Sequence, residues 1–187
     1  MKISIIDTYY PAFLKSFYQT SSSQNSSYLL QHKALINSCF GTSDFYSFHL
    51  NHLGWESYDL IVNSVELQRK WSRENGFKFS KLASTISPKA YRIPLVGSFL
   101  SSLPGLTEVA IHQIKAIKPD VLYCQDLSFF REETLNELRP YVKLIVGQIA
   151  SPLPPESFIR GYDLILTSFH HFVDKFRSIG INSEYFK

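Results

Sequence analysis

The sequence predicts an α/β fold, a mostly parallel sheet with helices packed on both faces. Two observations carry this expectation. Short apolar runs alternate with segments of helical periodicity along most of the chain, and the stretch from Leu144 to Ile179 shows the repeating unit in full. There an apolar run (Leu144–Ile149), a proline-punctuated loop and a second apolar run (Tyr162–Thr167) lead into a helical pattern. In that pattern Phe169, Phe172, Val173, Phe176 and Ile179 recur at three- and four-residue steps, with Asp174, Lys175 and Arg177 between them.

In chain order, Ile3–Ile6 is the first buried strand, and Pro11 opens a helix whose apolar face is Phe13, Leu14, Phe17 and Tyr18. Ser21–Ser27 is a polar loop of low complexity. A second helix is expected from Tyr28 to about Phe40, ending at Gly41. Thr42, Ser43 and Asp44 form a capping cluster, with Ser43 expected to cap the helix Phe45–Leu53, which stops at Gly54. Trp55–Val62 is the second strand. Asn63 with Glu66 has the spacing of a capping box for the helix that runs to Asn75 and Gly76. Phe77–Gly105 mixes serine, proline and aromatic residues without steady periodicity, and is long for a connection. Leu106, Val109, Ala110, Ile114 and Ile117 then mark an amphipathic helix, stopped by Pro119. Val121–Cys124 is a buried strand, Glu132–Leu138 a short helix, and Ser183–Phe186 a last candidate strand.

Alternating strands and helices imply right-handed crossovers, so the loops after the strands share one edge of the sheet. Ligands of such sheets bind outside the carboxyl ends of the strands. Asp7, Asn63, Asp126, Gln148 and Ser168 are therefore expected close together, with Ser151, His170 and His171 in the same set of loops. Asp7 and Asp126 suit a general base or hydroxyl binding; an aspartate there also caps the following helix. The histidines suit proton transfer or hydrogen bonding, and equally a capping or packing role. His49 and His52 share a helix face but lack a third ligand at helical spacing, so no metal is expected.

Composition narrows the classes. A chain of 187 residues with 44% hydrophobic content suits one folded domain. A net charge of +3 spread along the chain makes nucleic acid an unlikely partner. Cys39 and Cys124 provide neither a disulfide scaffold nor a four-ligand zinc site. The start is too soon acidic for a signal peptide, and no apolar run approaches the roughly 20 residues that span a bilayer. These features predict a reduced, cytoplasmic protein without stable membrane insertion. Neither a G-x-G-x-x-G nor a P-loop motif occurs, and the Asp7-Thr8-Tyr9-Tyr10 turn would repel a pyrophosphate, so no cofactor is expected.

Phe40–Ser47 (FGTSDFYS), Leu67–Trp71 (LQRKW), Lys118–Tyr123 (KPDVLY), Gly147–Pro154 (GQIASPLP) and Tyr162–Phe169 (YDLILTSF) resemble the N-terminal domain of bacterial GT-B glycosyltransferases, the spore-maturation-like and family 4 type. The similarity runs along almost the whole chain. Asp7-Thr8-Tyr9-Tyr10 stands in place of the glycine-rich first loop of many such proteins, and Gln125-Asp126 in place of a common histidine. The resemblance implies a Rossmann-like three-layer sandwich over residues 1–187 with an irregular 77–105 insertion. Such a domain grips a carbohydrate or glycan acceptor and faces a second, donor-binding C-terminal domain that this sequence lacks. For such a domain the strand-end positions make Asp126 and His170 the catalytic candidates and Asp7, Tyr9, Tyr10, Asn63, Gln125, Gln148, Ser151 and Ser168 the acceptor-binding ones. Two other classes remain open: a non-enzymatic flavodoxin-like regulatory module phosphorylated on Asp7 or Asp126, and a docking subunit using an apolar patch around Phe77–Leu103.

Overall fold

Isoleucine side chains leave both faces of the first strand, so that strand must lie inside a sheet covered on both sides. The computed structural model, which describes residues 1–20, 25–78 and 104–186, places it there. Strands β1 (Lys2–Asp7), β2 (Glu56–Ile61), β3 (Val121–Cys124), β4 (Leu144–Ile149), β5 (Leu164–Thr167) and β6 (Ser183–Tyr185) form one six-stranded sheet in the order β2-β1-β3-β4-β5-β6. Every pairing is parallel, with Ile3 opposite Ser57 on one side and Val121 on the other. The helices are α1 (Pro11–Thr20), α2 (Tyr28–Ile36), α3 (Phe45–His52), α4 (Val65–Glu74), α5 (Pro104–Ile117), α6 (Glu132–Leu138) and α7 (His170–Ser178). This is the Rossmann-like three-layer arrangement that the alternation predicts.

Right-handed crossovers fix which helix covers which face. The chain moves one way from β1 to β2, and the opposite way from β2 through β3 to β6. The β1-to-β2 connection therefore lies on one face and the later connections on the other. On the later face Ile6, Leu122, Cys124, Ile145 and Ile165 pack against Leu106, Ala110 and Ile114 of α5, Leu135 of α6 and Phe176 of α7. On the opposite face Ile3, Ile5, Tyr123 and Val146 meet Tyr46 and Leu50 of α3. A third, aromatic cluster joins Tyr9, Leu14, Tyr18, Leu35 and Leu67 to Phe13, Phe17 and Phe40, locking α1, α2 and α4 together.

Four local expectations are corrected. Helix α2 stops at Ile36, short of Phe40, because tertiary contacts take over its end. The Ser43 hydroxyl donates to Ile36 O at 2.6 Å, the Ser38 hydroxyl donates to Leu35 O, and the Phe40 ring stacks on Phe13 at 4.0 Å. Ser43 therefore closes the helix behind it and does not cap α3, whose N-cap is Asp44 without a side-chain bond. Asn63 does not form a capping box with Glu66. The cap of α4 is Ser64, and the Asn63 amide is spent on the turn after β1. Phe169 and Ile179 flank α7 as its caps and are exposed, while Val173 and Phe176 supply its buried face. The irregular segment of the insertion lies outside the described residues from 79 to 103.

The outward backbone groups of edge strand β2 are covered by side chains, which blunts an otherwise open edge. Asn51 Oδ1 accepts from Ser57 N at 3.1 Å, His32 Nε2 donates to Asp59 O at 2.8 Å, and Gln68 Nε2 donates to Ile61 O at 2.8 Å. Among the described residues no helix is long and apolar enough to cross a membrane.

Gly147, in central strand β4, is required by close approach. A Cβ there would meet the Leu127 side chain inside contact distance and the Tyr162 ring at 3.0 Å. Gly147→Ala is expected to destabilise the fold by about 1–3 kcal/mol through overpacking, read as a lower midpoint in urea unfolding.

Candidate functional site

Strand order reverses between β1 and β3, and the carboxyl ends of these neighbours leave a crevice between their loops. Asp7 is the last residue of β1, and Gln125 and Asp126 directly follow β3. The Thr8 amide donates to Asp7 Oδ1 at 2.7 Å, and the Thr8 hydroxyl donates across the crevice to Asp126 Oδ2 at 2.7 Å. Asp126 Oδ1 accepts from the Ser128 amide at 2.8 Å, so each of its oxygens has a protein donor. The Thr42 hydroxyl, from the α2–α3 loop, is 2.9 Å from Gln125 Oε1 and 3.5 Å from Asp7 Oδ2. Its single proton goes to the nearer acceptor, which leaves Asp7 Oδ2 poorly served.

Burial pushes the Asp7 carboxyl up from its ordinary 3.8 to about 6. The hydrogen bond from the Thr8 amide offsets part of that rise, the long contact of the Thr42 hydroxyl a smaller part, and the charge of Asp126 adds to it. Beside it, the Gln125 amide nitrogen is buried without a hydrogen-bond partner. The crevice thus holds an acceptor short of a donor and a donor short of an acceptor. A ligand hydroxyl, which both donates and accepts, suits groups of either kind.

The turn that carries Thr8 is held from behind. Asn63 Oδ1 accepts from Tyr9 N at 2.9 Å and Asn63 Nδ2 donates to Tyr9 O at 2.7 Å, as a neighbouring strand would. The Tyr9 ring is 2% exposed, with Phe13 and Phe40 against it, so in this conformation Tyr9 serves the core. Tyr10 is 73% exposed at the start of α1 and offers an open ring face. On the next strand Gln148 Oε1 accepts from the hydroxyls of Tyr46 and Tyr123. Burial pushes the Tyr123 hydroxyl up, so it remains a donor.

The other residues singled out from the sequence lie farther along the same edge. Ser151 follows β4 and Ser168 follows β5, both exposed. His170 is the first residue of α7, exposed, with its ring stacked on Tyr185 at 3.8 Å. Strands β3 and β5 are two positions apart, roughly 10 Å across the sheet. The rim therefore brings Asp7, Gln125, Asp126 and Asn63 together and holds His170 and Ser168 apart from them. His49 and His52 flank the exposed ring of Phe48, and among the described residues no group of three or more His, Cys, Asp or Glu side chains could hold a metal ion. Thr8 and Thr42 complete the crevice. Sequence reasoning passes over both because a lone hydroxyl carries no periodicity. Their only signals are adjacency to Asp7 and a loop whose neighbours Gly41 and Ser43 have positive φ.

The Asp7 shift sets a pH dependence of stability. A carboxyl whose folded value is raised binds its proton more tightly when folded, so its contribution is full below about pH 4 and is lost as pH rises through about 6. Asp7→Asn is expected to raise stability near neutral pH by roughly 1–3 kcal/mol and to flatten the fall between these limits. A residual fall should remain from Asp59, which burial also raises to about 6. Urea unfolding of both proteins across this range is the measurement.

Comparison with protein-family models, with curated proteins and with solved structures finds no match, so the chemistry of the crevice is the guide to what the chain does.

Proposed function

We propose that the chain is the acceptor-side domain of a nucleotide-sugar-dependent glycosyltransferase, and that a hydroxyl of its carbohydrate acceptor seats between β1 and β3. The observation that supports this best is the unmatched pair at the crevice, the underserved Asp7 Oδ2 beside the unpartnered Gln125 amide. A carboxylate whose protonation is balanced near neutral pH is a suitable general base. In an inverting transfer the acceptor O–H would give its proton to Asp7 as its oxygen bonds to the anomeric carbon. The bond from that carbon to the nucleotide phosphate would break, and its electron pair would leave with the phosphate. Asp126 would hold Thr8, and its charge would add to the rise that burial gives the Asp7 carboxyl. Tyr10, Gln148, Ser151, Ser168 and His170 would meet more distant parts of a glycan lying along the rim. The donor sugar would be held by a second domain. A retaining transfer would use the same seat for binding and need no base.

The strand order also belongs to flavodoxin-like modules, which supports a second reading as a regulatory module phosphorylated on Asp7 or Asp126. The two readings part in one pair of experiments. Titrating the chain with free sugars and methyl glycosides should move the backbone NMR signals of Thr8, Thr42 and Gln125, with millimolar affinity. Thr42→Val or Gln125→Ala should weaken that binding at least about fivefold. Signals that do not move, or that move only away from the β1–β3 edge, would refute the first reading. A mass increase of one phosphoryl group on Asp7 or Asp126 with acetyl phosphate and magnesium would establish the second.

A further inference from the structure

Away from the crevice, a cavity of about 570 Å³ follows the outer edge of β2, between α2, α3, α4 and the end of α5. That volume is in the range of small-molecule sites. Asp44, Asp59, Gln113 and His32 present acceptors to the cavity, while Ser57, Asn51 and the Trp71 indole carry donors. Among the described residues Asp59, on β2, takes the Ser47 hydroxyl as its one side-chain donor, and neither it nor Asp44 has a cationic side chain within ion-pair distance. Gln113 is 2% exposed. Its amide nitrogen donates to the Tyr28 hydroxyl at 3.4 Å, while its Oε1 has no partner. His32 donates through Nε2 to Asp59 O, and burial lowers its pKa, so the ring is neutral and Nδ1 is a further acceptor. The apolar part of the lining combines the rings of Tyr28, Tyr58 and Trp71 with aliphatic side chains such as Leu29 and Leu60. Among the described residues Lys33 is the cationic residue of the wall, and it is exposed.

Buried acceptors without donors are costly, and aromatic faces attract cations. We infer that the β2-edge cavity is a second ligand site, separate from the sugar crevice, that takes a small organic ammonium ion. Its charged end pairs with the Asp59 carboxylate, its N–H groups supply the missing donors, and its apolar body lies along the aromatic wall. A neutral compound of the same shape lacks the charge, and an anion meets two carboxylates.

The test uses the whole chain with phenethylamine, its neutral counterpart phenethyl alcohol and the anion hydrocinnamate. The indole N–H signal of Trp71 reports on the cavity wall. A saturable shift with the amine is expected, with the alcohol and the carboxylate at least about tenfold weaker. Asp59→Asn, which retains a partner for Ser47, should weaken amine binding about tenfold. Ala116→Trp changes an exposed position on the cavity wall, so it should fill the cavity and abolish binding without unfolding the chain. Equal affinity for amine and alcohol, binding that survives both substitutions, or no saturable shift with the amine would overturn the assignment.

Discussion

The reversal of chain direction across the sheet between β1 and β3 is the constraint on which the rest of the molecule depends. β1 must pair with β2 on one side and β3 on the other, so the loops after β1 and β3 diverge to opposite faces and leave a gap at their carboxyl ends. The gap is lined by whatever residues terminate those two strands. In this chain they are Asp7, Thr8, Gln125 and Asp126, and the α2–α3 loop adds Thr42. The crossover rule has a second consequence. Helices α1 to α3 fall on one face and α5 to α7 on the other, so the crevice is braced from both sides by packed core.

That rigidity lets the site hold groups in states that water would not favour. Asp7 and Asp59 lie on the same face of neighbouring strands, each raised to about 6 chiefly by burial and each raised further by other carboxylates nearby. Neither has a cation to neutralise it among the described residues. A fold selected for stability alone would place amides or apolar side chains there. Retaining one such acid, Asp7, at the carboxyl edge of a parallel sheet and another, Asp59, on the edge strand trades stability for titratable groups.

Much of this was legible in the sequence for one physical reason. Strands buried on both faces must be almost wholly apolar, so Ile3–Ile6, Val121–Cys124 and Leu144–Ile149 stand out, and the parallel rule then sends their last polar residues to one edge. The order of the strands was not legible, because pairing depends on contacts between distant segments. Local rules failed where a long-range partner competed for the same atoms. Asn63 had the spacing of a capping box, yet the Tyr9 peptide claimed its amide; Ser43 sat before a helix, yet a positive φ turned its hydroxyl back to Ile36. The end of α2 was misjudged because Asn37–Phe40 continues the helical pattern, whereas the stacking of Phe40 on Phe13 draws the chain away from it. Among the site residues, acids and amides at strand ends were found, and the two threonines that connect them were not.

Asp7 is a buried acid whose proton is balanced near neutrality chiefly by burial, with the charge of Asp126 adding to the rise. Following the Asp7 side-chain carboxyl by carbon-detected NMR through a pH titration tests it directly. The expected midpoint is about 6, falling when Asp126 is replaced by asparagine, since the neighbouring charge is one cause of the rise. A midpoint near the ordinary 3.8, unmoved by that replacement, would contradict it.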